Sequence, residues 1–431
     1  MSRPVVGFAG LTHLGLVSAA VTASKGFRAV AFDPDGARVK ESAAGRLPVV
    51  EPALGELLRA GGSQVVFTER ASALAECDVV YIASDVPTDG GGASDLRGLT
   101  SLIGEVIPAL GESAVLVMLS QVPPGFTRSV RFPPGRLFCQ VETLVTGQAV
   151  ERAGQPERFI VGCADPCAPL PGPYAAVLGA FGCPILRMRY ESAELAKIAI
   201  NCCLAATVTV ANTLAELSER VEADWGEIVP ALRLDRRIGQ HAYLAAGLGL
   251  AGGNLERDLA TVVRLSAAAG SDAGVIRACV DNSRYRRDWA LRTLHAEVLG
   301  AKRDAVIGVL GLAYKENTGS TRNSPSLALI EHLKAWRLRV YDPVVPAAEA
   351  GHPAAVAAAS ALDAARGVDA LTIMTPWPEF RELAPRDLAS AMAGQAVVDP
   401  YRMLDAVEVA AAGLDYFTLG APPRRAKRAG S

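Results

Sequence analysis

Short apolar runs alternate with longer mixed segments along the first part of the chain. Pro4 to Gly10 is apolar and closes on glycine, alanine-rich Leu16–Lys25 follows, and a second apolar run, Arg28–Phe32, ends at Asp33. Apolar runs of this length bounded by glycine predict buried strands, and the segments between them predict helices. Further strands are predicted at Gln64–Thr68, Asp78–Ser84, Ala114–Leu119 and Gly135–Val141. Regular β/α alternation predicts a parallel, doubly wound sheet with ligands at the C-terminal strand ends. The loops Ser84–Pro87, Ser120–Thr127 and Glu142–Gly147 fall at those ends.

The pattern changes near Tyr190. Glu191–Glu222 contains neither glycine nor proline and predicts one long helix, with Lys197, Asn201, Leu204 and Val208 along one face. Asp224–Asp288 reads as mainly helical, interrupted by the glycine-rich stretch Tyr243–Asp258. Apolar residues around much of the girth of these helices point to burial against a second subunit, hence a homodimer. A second α/β unit starts near Asp304, with strands at Ala305–Leu310, Arg339–Tyr341, Asp369–Thr375 and Gln395–Asp399 and a helix over Pro325–Leu338. The alanine-rich segment Ala347–Arg366 is predicted to be a helix with its approach. The fold class is therefore α/β, with two Rossmann-like doubly wound parallel-sheet domains joined by a central helical dimerisation domain. The expected boundaries are 1–189, 190–300 and 301–421, followed by a disordered basic tail over 422–431.

Length and composition refine this picture. A chain of 431 residues suggests two or three domains, and its 50% hydrophobic content can fill large cores. The net charge of −2, with no basic stripe before the tail, argues against nucleic acid as a partner. No apolar run is expected to reach membrane-spanning length, and no charged-then-apolar leader is read at the N-terminus. Eight scattered cysteines and five histidines give no zinc spacing, so reduced thiols in a cytoplasmic protein and no metal are expected.

The clearest chemistry lies in Gly10-Leu11-Thr12-His13-Leu14-Gly15. Strand, glycine turn, helix, strand and acid make a dinucleotide-binding unit. Gly10 allows the tight turn, and the helix start sets free N–H groups under a pyrophosphate. Asp33, 23 positions after Gly10, can accept hydrogen bonds from the adenosine ribose and would repel a 2′-phosphate, which favours NAD. Arg38 and Ser84 are further cofactor-side candidates. Thr12 replaces the middle glycine and is expected to crowd the pyrophosphate.

Other landmarks are Glu51-Pro52-Ala53-Leu54, Val122-Pro123-Pro124-Gly125, Glu194…Lys197…Asn201 and Arg237-Ile238-Gly239. Gly252-Gly253…Asp258, Lys315, Asn317-Thr318…Arg322…Ser324-Pro325 and Tyr341-Asp342-Pro343 complete the series. In this order and spacing the chain resembles UDP-glucose/GDP-mannose dehydrogenases from end to end. The resemblance implies an N-terminal NAD domain, a central dimerising domain and a C-terminal domain for the nucleotide of a sugar nucleotide.

It also implies roles. Lys197 and Asn201 would stabilise the alkoxide-like oxygen of hydride transfer. Glu142, after a predicted strand, would act as a base through water; a carboxylate capping loop N–H groups is the bland alternative. Asp258 would hold a catalytic water, or serve only as a first-turn helix carboxylate. Gln121 stands where the family has the threonine that shares this water. Asn254 stands where the family has its nucleophilic cysteine, and an amide cannot form the thiohemiacetal. Cys202 and Cys203 are expected to be core thiols. Arg237 would reach the substrate across the dimer, and Tyr243 would stack on a base. Gly249 and Lys315 fall on the substrate side, Arg322 on the cofactor side and Arg402 on the nucleotide side. Three functions remain open: a two-electron NAD-dependent oxidation without a thioester, a four-electron oxidation through an aldehyde hydrate, and a non-catalytic sugar-nucleotide binder.

Overall fold

The computed structural model describes residues 3–47, 51–87, 94–145, 147–250 and 254–426, with Asn254 described by its backbone only. These residues form two compact units, divided between Ile200 and Asn201.

The first unit carries eight strands: β1 (Val5–Ala9), β2 (Arg28–Phe32), β3 (Val65–Thr68), β4 (Val79–Ile82), β5 (Val115–Met118), β6 (Leu137–Gln140), β7 (Phe159–Cys163) and β8 (Ile185–Arg189). Their order in the sheet is β3-β2-β1-β4-β5-β6-β7-β8. The strand order turns back at β1, with β4 lying parallel on its other side, which makes the doubly wound topology. Alternate side chains feed two cores. Val79, Tyr81, Val115 and Val117 point into one, and Val80, Ile82, Leu116 and Met118 into the other. With both faces covered, the strands read as unbroken apolar runs. Each fully buried Val or Leu contributes roughly 1.5–3 kcal/mol. Helix α1 (His13–Ser24) covers the first face, and its small residues Gly15, Ala19, Ala20 and Ala23 are all buried there.

The second sheet comprises β9 (Val306–Leu310), β10 (Arg337–Tyr341), β11 (Ala355–Ala357), β12 (Ala370–Ile373), β13 (Ala396–Val398) and β14 (Asp415–Phe417), ordered β11-β10-β9-β12-β13-β14 and parallel throughout. In the same unit lie most of the long helix α2 (Tyr190–Ser218), whose first residues belong to the first unit, and helices α3 (Asn254–Ala269) and α4 (Gly274–Arg287).

Several sequence expectations are corrected. The first sheet is not wholly parallel, because β7 runs antiparallel to β6 (Cys139↔Gly162). The predicted helix over Ala347–Arg366 is absent. A short 3-10 turn (Ala347–Ala350), β11 and a single helical turn (Ala361–Ala364) take its place. Gly351 at φ 59° breaks the segment, and pairing of β11 with the edge of β10 overrides the alanine preference for helix. The helix from Pro325 ends at His332, since Arg337 already pairs with Val306.

The tail from Pro422, expected to be disordered, is docked as far as Ala426. Tyr416 and Arg424 exchange backbone hydrogen bonds of 2.8 and 2.9 Å along the open edge of β14. Arg425 donates to both oxygens of Glu297 at 2.6 and 2.9 Å. The tail residues beyond Ala426 lie outside the described residues.

One apolar segment is longer than expected from the sequence. Helix α2 is long and apolar enough to cross a membrane, by length and composition. No charge occurs between Lys197 and Glu216. On the described chain its side chains Val210 (58%) and Leu217 (52%) are exposed.

Candidate active site

The cofactor cradle follows from close packing at the β1–α1 turn. Gly10 has φ 104°, and a Cβ there would lie 2.9 Å from Ser84. A Cβ on Gly15 would sit 1.8 Å from the carbonyl oxygen of Gly10. Both positions therefore require glycine. Asp33 is buried, and its Oδ2 accepts from the Leu11 amide at 2.8 Å and from Arg38 at 3.0 Å. Its Oδ1 accepts from the Asp35 amide at 2.9 Å. The carboxylate thus fixes the turn it was expected to accompany.

Thr12 does not merely crowd this turn. Its hydroxyl donates to the Ala83 carbonyl (3.3 Å) and accepts from the Asp85 amide (3.0 Å), tying the turn to the loop after β4 near Ser84. Thr12 makes no side-chain cap on α1, which leaves the first-turn amides to an anion. His13 Nε2 lies 3.0 Å from Glu51, and Leu14 is buried beneath. These residues fit a dinucleotide pyrophosphate.

Glu51 was not foreseen as a site residue. It also accepts from the amides of Gly147 (2.9 Å) and Ala149 (2.7 Å), so it fixes the loop that follows Glu142. Glu194 does the same for the Val122–Gly125 loop, accepting from Gly125 (2.6 Å) and Thr127 (2.7 Å). The available signal was a lone carboxylate in an apolar context, which must find donors when buried.

Glu142 follows β6. Its Oε2 lies 3.7 Å from Lys197 Nζ, while its Oε1 is covered and has no hydrogen-bond partner. Burial pushes the Glu142 carboxyl above the usual range, and Lys197 pulls it partly back. A cavity of about 20 Å³ lies between them, lined also by Ser120, Gln121, Cys139 and Glu194. The Cys139 thiol is pushed up to about 12 by burial.

In the second unit, Asn201 Nδ2 donates to Asp258 Oδ2 at 2.6 Å, and both residues are buried. Arg257 Nε holds the other oxygen at 3.1 Å. Asp258 therefore lies in the second turn of α3 as a partner of Asn201, not in its first turn as a helix carboxylate. Gly249, at φ 84°, packs so closely that a Cβ would meet the Ser283 carbonyl at 2.4 Å. The expected roles of residues 251–253 and of the Asn254 side chain lie outside the described residues. Cys202 packs with Leu250, Leu259 and Cys279, and burial pushes its thiol up to about 11. Cys203, expected in the core, is exposed because it faces outward from α2.

Other predicted residues are less gathered. Arg237 is exposed and paired with Asp235 at 2.6 Å. Tyr243 is half exposed. Arg402 donates to Asp224 at 2.6 and 3.2 Å. Lys315 stands 5.7 Å from the ring centroid of Tyr314, after β9. Arg322 precedes the Ser324 cap of the following helix. Asp342 at the end of β10 repeats the Asp33 device, accepting from the Leu312 (2.6 Å) and Ala313 (3.1 Å) amides. Among the described residues no cluster suited to a metal occurs.

The geometry is thus a dinucleotide cradle, a lysine–carboxylate pair and an amide–carboxylate pair. Family models for the UDP-glucose/GDP-mannose dehydrogenase family match all three parts of the chain. The NAD-binding domain model covers residues 5–169, the central domain model 191–284 and the UDP-binding domain model 308–406. A UDP-glucose 6-dehydrogenase of Rhizobium meliloti (strain 1021) is 30% identical over 437 residues, with 96% of this chain and 98% of the relative covered. The chain belongs to the UDP-glucose/GDP-mannose dehydrogenase family. The UDP-glucose 6-dehydrogenase TuaD of Bacillus subtilis (strain 168) is 29% identical, with 96% of this chain and 93% of that protein covered. The structure of a UDP-glucose dehydrogenase from the hyperthermophilic archaeon Pyrobaculum islandicum matches with a TM-score of 0.84 at 27% identity, covering 97% of this chain and 98% of that one. This family member is an NAD-dependent oxidoreductase of CH–OH donors, with nucleotide-sugar dehydrogenase activity. Its cofactor is NAD.

Proposed function

We propose that this dehydrogenase carries out a two-electron hydride transfer on a nucleotide-linked sugar or related nucleoside, reversibly, without a covalent thioester. The observation that carries this reading is the chemistry of its thiols. The position expected to hold the nucleophile is Asn254. Of the thiols near the two polar pairs, Cys139 is buried and Cys202 half-buried, and desolvation keeps both protonated at neutral pH. A thiol in an apolar setting is a poor nucleophile.

NAD, when bound, accepts the hydride. Lys197 supplies positive charge to the substrate oxygen as its proton leaves, and Asn201 supplies an N–H donor held in place by Asp258. Glu142 takes the proton, directly or through a water beside Gln121. Asn254 holds the carbonyl product by hydrogen bonding. On the substrate side we assign Arg237, Tyr243, Gly249, Lys315 and Arg402, and to the cofactor we assign the Gly10–Gly15 turn and Arg322.

The unpartnered oxygen of Glu142 favours one second reading. It suits a water that adds to a bound aldehyde, which would give a four-electron oxidation through a hydrate. We further propose a homodimer in which the exposed apolar residues of α2 are covered by a second copy, in the cytoplasm, where eight free thiols stay reduced. Incubation of purified protein with NAD and a panel of UDP-, GDP- and ADP-sugars tests the activity. One NADH per substrate with a carbonyl product supports it; no NADH with any sugar overturns it.

A further inference from the structure

Glu142 sits where the two faces of the first sheet meet. Along β6, Leu137 and Cys139 face one core, while Phe138 faces the other and Gln140 meets the tyrosines of that second side. At the strand end Leu119, Gln140, Val141 and Glu142 form the wall between the two sides, and Glu142 carries the only carboxylate among these four. Glu142 lines the small cavity it shares with Lys197 and also a second cavity of about 70 Å³. That second cavity lies under α1 and the helix Gly172–Gly179, and its polar lining includes Ser18, Thr22, Tyr81, Gln140, Arg152 and Arg158. Its size admits several waters, and its hydroxyl, amide and guanidinium groups can hold them.

Gln140 Oε1 accepts from Tyr174 (3.0 Å) and Tyr81 (3.3 Å), which fixes the amide in this wall. Arg152 donates to the Thr143 carbonyl at 3.2 Å and approaches Glu157 at 3.4 Å, so it links the cavity to the surface. The groups whose charge acts on Glu142 are Lys197, Asp85 and His13. None of these lines the second cavity.

We propose that the second cavity is the proton exit of the enzyme, a water-filled route from the Glu142 carboxyl group past Ser18, Thr22 and Gln140 to Arg152 at the surface. The inference rests on the assignment of Glu142 as base. In the forward reaction the C–H electron pair leaves as hydride to NAD, and the substrate O–H proton moves to Glu142 as the carbonyl forms. Bound substrate would occupy the Lys197 side. The proton passes to cavity water and is released to bulk, which restores the carboxylate. Nothing else is consumed.

Stopped-flow mixing with NAD and the panel sugar that gives NADH fastest, followed by NADH absorbance and a pH-indicator dye together, tests this route. In the native protein the two signals rise in step. Ser18→Leu, which fills the cavity from α1, is expected to delay proton release at least fivefold behind NADH formation. Val177→Phe fills it from the opposite helix and should behave alike if Ser18→Leu does not fold. Proton release in step with NADH in both filled variants overturns the route. Glu142→Gln separates the two readings. If it keeps full activity, the base assignment falls and the route with it; if it is inactive while the filled variants release protons in step, only the route falls.

Discussion

Glu142 joins two opposing demands in one side chain. Burial raises its pKa above the ordinary carboxylate value of about 4.3, and the role of base proposed for it requires the ionised form. A group with a raised folded pKa contributes stability below the unfolded pKa and loses it as pH rises through the folded one. Ionised Glu142 therefore destabilises the native state at neutral pH. Glu142→Gln is expected to raise the thermal midpoint at pH 7–8 and to lower kcat about 10²-fold or more; a lowered midpoint would contradict the burial argument. In the native enzyme the acidic limb of the kcat profile should lie above the ordinary carboxylate range, measured as kcat against pH. Asn254→Cys probes the neighbouring position: acid product and a second NADH are expected if that side chain faces the carbonyl, and unchanged product counts against the placement. Of the expected site residues, the sequence placed Glu142 and Lys197 at a strand end and on a helix, and the structure brings them within 3.7 Å. Glu51 and Glu194 were not legible, since their amide partners lie 96 and 69 positions away in sequence.

At the scale of elements, the β1–α1 turn depends on two contacts that no side chain can share. Gly15→Ala places a methyl group at the Gly10 carbonyl, so loss of NAD binding by calorimetry is expected, together with a fall in thermal stability. The face of α2 makes a separate prediction. Val210 and Leu214 are exposed on the described chain, and single charged substitutions such as Leu214→Lys should shift sedimentation from dimer to monomer. An unchanged sedimentation coefficient would rule that face out as the interface. Strands flanked by glycine and aspartate were read within a few residues, because both faces of each sheet are buried. The Ala347–Arg366 segment was misread for the same reason that alanine is uninformative: it has no side chain to mark a face, and pairing with β10 decided its state.

For the whole molecule, two doubly wound sheets and the order of their parts were evident from alternation alone. Strand β7 was not among the predicted strands, and its antiparallel direction leaves no trace in a short apolar run. Docking of the tail was hidden as well, because it depends on the open edge of β14 and on Glu297. The central claim is the proposed chemistry, a hydride transfer that uses the Lys197–Glu142 and Asn201–Asp258 pairs and no covalent thioester. The decisive measurement is stoichiometry, taken as NADH formed per nucleotide sugar consumed, with the product identified by mass. The account predicts one NADH and an aldehyde or ketone. Two NADH and a uronic acid would contradict it.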